Sequence, residues 1–415
     1  MRRRHFITTT VGAGLLAGVS TALAGQPGVP DQDRPANPFT PRIVPIGKEE
    51  RAARLEKARR IMASLAIDAL LVEGGTTLRY FTGVRWGRSE RAFLMVLPAK
   101  GDPWYIAPKF EESRAAEQVA PAPLYTWEED ESPYDILRKA MLERGTAAGT
   151  LALEESTRTF VAEGIGRTLG SATVVNGTPV TAGCRAVKSG AELALMQVAN
   201  DITAEVYRRS VPALTPGMTE REFGKIVSKN FSEYGVSGGA LVLFGEASAY
   251  PHGLEKENTL REGDIVLIDG GCTVEEYNSD VTRTVSLGTP TARMESVFRI
   301  VLAAQQAGLR TARPGVAAES IDAAARKVIV DGGFGPGYRY FTHRLGHGIG
   351  MEGHEWYYLV RGNTRPETAG ETHSNEPGIY IPGEFGIRIE DEMVITEEGA
   401  KLMLPSPTGL GSMFG

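Results

Sequence analysis

Gly263-Asp264-Ile265-Val266-Leu267-Ile268-Asp269-Gly270-Gly271 and Asn278-Ser279-Asp280-Val281-Thr282-Arg283-Thr284-Val285-Ser286-Leu287-Gly288 decide how the second half of the chain is read. The first is a turn, an apolar run and an aspartate. The second begins at an aspartate and ends at a glycine. Both read as strands. Ten residues lie between Asp269 and Asp280. A hairpin of that length brings both carboxylates to one point on adjacent strands. Acids at the end of an apolar strand need a partner, because burying an unpaired charge is costly.

Three further motifs follow: Gly346-His347-Gly348-Ile349-Gly350, Asn375-Glu376-Pro377-Gly378, and Ile387-Arg388-Ile389-Glu390-Asp391. Each sets a ligand-type side chain beside small, turn-forming or buried-strand residues. Asp269, Asp280, His347, Glu376 and Glu390 together suit a pair of hard divalent ions such as Mn²⁺, Co²⁺, Fe²⁺ or Zn²⁺. Two such ions, roughly 3.5–4 Å apart, activate a shared water near neutral pH, the equipment of a hydrolase. Taken singly, each residue has a plainer reading. Glu390 could be one of three surface acids in Glu390-Asp391-Glu392. A lone histidine is more often a satisfied core residue. The placement of histidine argues otherwise: of six, His252, His343, His347, His354 and His373 all fall among the acidic motifs, and only His5 lies outside.

A chain of 415 residues is long for one core and suits two domains. The formal net charge is −6, and residues 1–24, with three arginines and no acid, leave −9 when removed. An acidic chain is a poor candidate for nucleic acid or an anionic membrane surface. Two cysteines, Cys184 and Cys272, make no disulfide framework. Cys272 reads as a small buried side chain. Residues 1–24 read as a twin-arginine export signal: Arg3-Arg4-His5-Phe6-Ile7, an apolar stretch from Val11 to Leu23, and the small-x-small site Ala22-Leu23-Ala24. The protein is then expected in the periplasm of a Gram-negative source, or secreted from another. A retained anchor is the alternative.

Residues 25–45 hold six prolines and read as an extended tether. Lys48 to Leu65 reads as a helix with Leu55, Ala58, Met62 and Leu65 on one face. Ile67–Val72 reads as a buried strand, and Ala92–Leu97 with Trp104–Ala107 as a hairpin about Lys100-Gly101-Asp102. Residues 46–180 are expected to form a compact α/β domain. Ser189-Gly190-Ala191-Glu192 and Thr219-Glu220-Arg221-Glu222 are capping boxes that open two helices. The domain boundary is expected between about 175 and 188.

Residues 186–405 resemble the catalytic domain of the pita-bread metallopeptidases, the family of methionine aminopeptidase, Xaa-Pro aminopeptidase, prolidase and the metal-free creatinase. All five ligand motifs appear in order. The preceding domain resembles the N-terminal domain of the creatinase, prolidase and Xaa-Pro aminopeptidase branch, which disfavours methionine aminopeptidase. The resemblance implies an α/β (α+β) architecture: a creatinase-like α/β domain, then a curved antiparallel sheet flanked by helices. It implies two divalent metal ions, manganese foremost and cobalt, zinc or iron as alternatives. Asp269 would hold one ion, Asp280 and Glu390 would bridge, and His347 and Glu376 would complete the other. Glu376 would also be general base and pass the proton to the leaving nitrogen. His252, His343, His354 and Arg388 are implied beside the substrate, and Tyr277 and Thr282 as residues that orient Asp280. His373 matches no functional position. Trp356-Tyr357-Tyr358 follows His354-Glu355 where prolidase-like chains often carry a proline, and is read either as pocket lining or as packing.

The function these observations imply is hydrolysis of Xaa-Pro bonds in dipeptides or short proline-containing peptides. A homodimer is implied by the resemblance, with no nucleic-acid partner. Two rivals stand beside it: a hydrolase on the same scaffold acting on a non-peptide C–N bond, and a non-catalytic peptide-binding protein.

Overall fold

The computed structural model describes residues 37–146, 149–170 and 172–415. The residues read above as an export signal, and most of those read as a tether, lie outside them. Residues 37–45 carry a 3-10 turn, Thr40–Arg42, and Phe39 and Ile43 pack on the catalytic core, so this end of the proline-rich stretch is docked.

The first domain contains helices α1 (Lys48–Ser64), α2 (Thr76–Thr82), α3 (Glu112–Val119), α4 (Pro133–Glu143), α5 (Thr159–Thr168) and α6 (Thr178–Ala186). Its strands are β1 (Ala69–Glu73), β2 (Leu94–Pro98), β3 (Trp104–Pro108), β4 (Leu124–Trp127), β5 (Thr150–Leu153) and β6 (Thr173–Asn176), in the sheet order β4-β3-β2-β1-β5-β6. β1, β2 and β3 pair antiparallel, while β4, β5 and β6 each add in parallel. Strand periodicity divides the central residues between two cores. Leu70, Val72, Met95, Leu97, Tyr105 and Ala107 face one layer. Ala69, Leu71, Leu94, Val96, Trp104 and Ile106 face the other. A sheet covered on both faces explains why β1 and β2 are apolar throughout.

The face expected for α1 is partly wrong. Ala58 and Met62 are buried, but Leu65 is 45% exposed and Arg54 is buried instead. Arg54 is held there by the carbonyl of Tyr80 at 2.9 Å, the hydroxyl of Tyr277 at 2.9 Å and the carboxylate of Glu192 at 3.4 Å. A buried charge persists where it is paired and hydrogen-bonded, as both Nη groups of Arg54 are.

The second domain begins with α7 (Gly190–Ser210) and α8 (Glu220–Glu233), each opened by its complete capping box. Strands β7 (Ser237–Phe244), β8 (Ile265–Val274), β9 (Tyr277–Asn278) and β10 (Val281–Ser286) form an antiparallel sheet in the order β10-β8-β7, with β9 on β8. Helices α9 (Ala292–Thr311) and α10 (Ala318–Asp331) follow. β11 (Gly346–Gly348), β12 (Glu355–Leu359), β13 (Thr372–Asn375), β16 (Asp391–Ile395) and β17 (Ala400–Leu402) make a second antiparallel sheet, and β14 (Gly378–Ile381) with β15 (Phe385–Arg388) a two-stranded ribbon. Apolar side chains of α7 and α8 pack on β7, β8 and β10. Those of α9 and α10 pack on β14, β15 and β16. The halves meet where Thr282 of β10 bridges Glu390.

The decisive hairpin holds its register from Ile265↔Ser286 through Gly270↔Val281 to Val274↔Tyr277. A side chain on Gly271 would put Cβ 1.9 Å from the Ser279 carbonyl oxygen, so glycine is needed where the strands close around Asp280. The chain reverses at Glu275 and Glu276, with φ of 45° and 76°. Non-glycine residues avoid this region at roughly 1–2 kcal/mol each. Arg79 and Arg85 of the first domain both pair with Glu276, at 3.2 and 3.0 Å, and hold the turn. Tyr277 does not orient Asp280 as expected; its hydroxyl donates to Glu192 at 2.8 Å and accepts from Arg54. Both cysteines are free and buried.

Candidate metal centre

β8, β10, β11 and the loops after β13 and β15 deliver Asp269, Asp280, His347, Glu376 and Glu390 to one cavity of about 160 Å³. Pro251, His252, His343, Arg344, His354 and Arg388 complete its lining. The five side chains fall into overlapping groups. Ligand atoms of Asp269, Asp280 and Glu390 lie within 4.8 Å of one another, and so do those of His347, Glu376 and Glu390. Glu390 therefore belongs to both. Asp280 also reaches the imidazole group, 3.9 Å from His347 Nε2, which is 3.4 Å from Glu376 Oε1.

The imidazole of His347 is set for a cation. Its Nδ1 lies 3.0 Å from the Gly348 carbonyl. A carbonyl only accepts, so Nδ1 carries the proton and Nε2 presents its lone pair to the carboxylates. Burial and the neighbouring His354 push the His347 pKa down to about 3, which keeps the ring neutral.

The carboxylates are crowded. Burial, then the charges of Asp280, Glu376 and Asp269, hold Glu390 well above the usual carboxylate range. Burial, then Asp269 and Glu376, do the same to Asp280. Burial with Asp269 lifts Glu376 to about 7. Four carboxylates around one neutral imidazole form a donor set that hard divalent cations match and protons only partly neutralise. The residues present fit the ions that the motifs imply.

A layer of hydrogen bonds fixes these groups. Thr282 Oγ1 lies 2.8 Å from Asp269 Oδ1 and 2.6 Å from Glu390 Oε2, between the two carboxylates. Its partners are thus Asp269 and Glu390, not Asp280 as expected. Ser374 donates to Glu376 Oε1 at 3.1 Å and accepts from the His347 amide at 3.0 Å. Glu392 Oε1 accepts the Asp280 amide at 2.7 Å. Burial lifts the Glu392 carboxyl to about 8. Strand alternation explains the run Glu390-Asp391-Glu392. Glu390 faces the cavity, Asp391 turns to Arg283 at 2.5 Å and Gln305 at 2.9 Å, and Glu392 turns back to Asp280.

Arg388 Nη2 donates to Asp269 Oδ2 at 2.6 Å, Nε to Thr282 at 3.1 Å, and Nη1 to the Tyr380 hydroxyl at 2.9 Å and the Pro251 carbonyl at 3.2 Å. Tyr380 in turn donates to His343 Nε2 at 2.7 Å, and His343 Nδ1 donates to the Arg344 carbonyl. Both His343 nitrogens are engaged. Burial with Arg388 holds its pKa down to about 3. His354 stacks on His347 with ring centroids 3.7 Å apart. His252 is an exposed residue on the cavity lining. His373 is buried elsewhere, 2.6 Å from Glu367.

Sequence reasoning missed Ser374, Tyr380, Glu392 and Arg344. Two have a local signal: Ser374 and Glu392 lie two residues from Glu376 and Glu390, as strand alternation places same-side neighbours. Arg344 lines the cavity and makes no ion pair among the described residues; its guanidinium lies 4.0 Å over the Tyr358 ring. The aromatic run beside His354 is packing: Tyr358 supports Arg344, Trp356 packs on Tyr358, and Tyr357 lies under Arg365.

Comparison with known proteins agrees with this geometry. Residues 194–397 match the model of metallopeptidase family M24, and residues 54–187 that of the creatinase/prolidase N-terminal domain. The probable dipeptidase PepE of Mycobacterium tuberculosis is 35% identical over 84% of this chain and 93% of its own. The crystal structure of dipeptidase PepE from Mycobacterium ulcerans superposes with a TM-score of 0.82, at 34% identity over 88% of this chain and 98% of that one. The Xaa-Pro dipeptidase from Bacillus anthracis gives a TM-score of 0.76 at 26% identity, over 86% and 98%. The two matches follow one another along the chain, the creatinase/prolidase N-terminal domain first, and the chain belongs to metallopeptidase family M24.

Proposed function

We propose that the protein is an exported, dinuclear exopeptidase that hydrolyses Xaa-Pro bonds in dipeptides or short peptides. The observation that carries this reading is the pair of ligand groups sharing Glu390 within one cavity. The similarity to a probable dipeptidase and to an Xaa-Pro dipeptidase supports the substrate class.

Asp269, Asp280 and Glu390 would hold one divalent ion, and His347, Glu376 and Glu390 the other. Two such ions supply charge that polarises a carbonyl and lowers the pKa of a shared water. The chain's own residues do the rest. Ser374 holds Glu376 Oε1, leaving Oε2 to take a proton and give it to the leaving nitrogen. That transfer matters because the nitrogen of a bond to proline leaves as a secondary amine. His354 is fixed by its stacking on His347, and His252 faces the same cavity; both are placed to donate to the carbonyl oxygen. Arg388 keeps Asp269 in place and is itself held by Tyr380 and Thr282.

Manganese is the first choice of ion, with cobalt, zinc or iron as alternatives. Export by the twin-arginine route would let the metal be chosen inside the cell. We take the protein to be a homodimer. The test is turnover of Ala-Pro and Ala-Pro-Ala by manganese-loaded protein, with metal analysis alongside. Cleavage with about two ions per chain supports the reading. Two bound ions without cleavage of either peptide point to a non-peptide C–N substrate, and no bound metal to a peptide-binding protein.

A further inference from the structure

We propose that Arg344 docks the free C-terminal carboxylate of the substrate and restricts this Xaa-Pro site to dipeptides. The proposal rests on the exopeptidase reading above and adds to it the residue that sets substrate length.

The buried guanidiniums of this protein are paired. Arg54 meets Glu192, Arg185 meets Glu355, Arg283 meets Asp391 and Arg388 meets Asp269. Arg388 is fully occupied, with Thr282, Pro251 and Tyr380 on its other nitrogens. Arg344 differs. It is partly buried on the wall of a cavity holding four carboxylates, and none of them pairs with it. Its guanidinium lies over the ring of Tyr358, which is backed by Trp356 at 5.2 Å, and it makes no ion pair among the described residues. Stacking engages the face of a guanidinium and leaves its edge free. A fixed plane with unused N–H groups at the edge is the geometry that grips a carboxylate with two parallel hydrogen bonds.

Charge balance points the same way. Two divalent ions would balance Asp269, Asp280, Glu376 and Glu390, and Arg388 lies against Asp269, so Arg344 is the cation of the lining that none of these carboxylates pairs with. The carboxylate end of a substrate complements that charge. The location fits the leaving side. Arg344 lines the same cavity as Glu376, the group that would protonate the leaving nitrogen. In a dipeptide, the free carboxylate is two bonds from that nitrogen. In a longer peptide, an uncharged amide takes its place and meets an unpaired cation.

The test compares manganese-loaded wild type, R344Q and R344K on Ala-Pro, Ala-prolinamide and Ala-Pro-Ala. Calorimetric binding of L-proline and L-prolinamide is the second readout. Wild type is expected to prefer Ala-Pro over both others and to bind proline over prolinamide. R344Q is expected to raise KM for Ala-Pro about tenfold while kcat stays within about threefold, with Ala-prolinamide little changed and R344K intermediate. Equal loss on the acid and the amide overturns the proposal and leaves the exopeptidase reading standing. So does wild-type cleavage of Ala-Pro-Ala as fast as Ala-Pro. Failure of wild type on all three peptides overturns the reading and the proposal together. Should R344Q not fold, R344K and the wild-type comparison of proline with prolinamide decide the matter.

Discussion

The side-chain carboxylate of Glu392 accepts the backbone N–H of Asp280 at 2.7 Å, across a separation of 112 residues. A ligand-bearing strand is thus held by an acid that is not itself in either ligand group. Glu392→Ala leaves that amide without its acceptor, at about 1–3 kcal/mol of stability. Metal affinity is expected to fall about 10–100-fold as Asp280 loosens. Glu392→Gln keeps an acceptor oxygen and is expected to rescue most of both. Metal titration and thermal unfolding of the two variants check this.

Glu390 joins the Asp269 and Asp280 group to the His347 and Glu376 group. Glu390→Gln is therefore expected to reduce the bound ions from about two to one or none, and peptidase activity by roughly a thousandfold or more. His347→Ala leaves the Asp269, Asp280 and Glu390 group whole and is expected to spare one ion. Elemental analysis of the purified variants separates the two outcomes.

Thr282 is fully buried and its hydroxyl sits between Asp269 and Glu390. Thr282→Val keeps the shape and removes the hydrogen bonds. Loss of about 1 kcal/mol of stability is expected, with a 10–100-fold weaker hold on metal. A fold intact by circular dichroism together with a lower metal content would bear this out.

Stability of the metal-free protein is expected to fall as pH rises from about 6.5 to 8.5. Glu376 and Glu392 carry folded-state values of about 7 and about 8 against an ordinary 4.5. In that window the folded chain binds more protons than the unfolded one, so the slope of unfolding free energy with pH is negative. Their stabilising protons are fully present below 4.5 and are lost as pH passes through the folded values. His347 and His343, held near 3, act in the opposite sense below about 6.5, where the unfolded rings take up protons. Thermal midpoints in chelator across this range test the sign, and saturating manganese should flatten the upper arm.

The sequence made the ligands legible because each sits at a local irregularity: a strand end, a turn glycine, a proline. It made the strands of the first domain legible through apolar runs that only a doubly covered sheet needs. What stayed hidden depends on partners far along the chain. Arg54 joins Ala58 and Met62 on the buried face of α1 because Glu192 and Tyr277 pair with it, and periodicity within one helix carries no trace of them; Leu65 falls past the end of the helix and is exposed. Tyr277 lies close to Asp280 in sequence yet serves that junction instead. Arg344 lies between two histidines of the motif, but only the ring of Tyr358 reveals that its charge is left unspent.

The reversal at Glu275 and Glu276 is stiffened from outside its own domain, by Arg79 and Arg85. The creatinase-like half is then part of the scaffold that keeps two aspartates in register. Cut away from it, the catalytic half should shed its ions at the hairpin first, and damage to a remote surface of the first domain should register as metal leakage before it registers as unfolding.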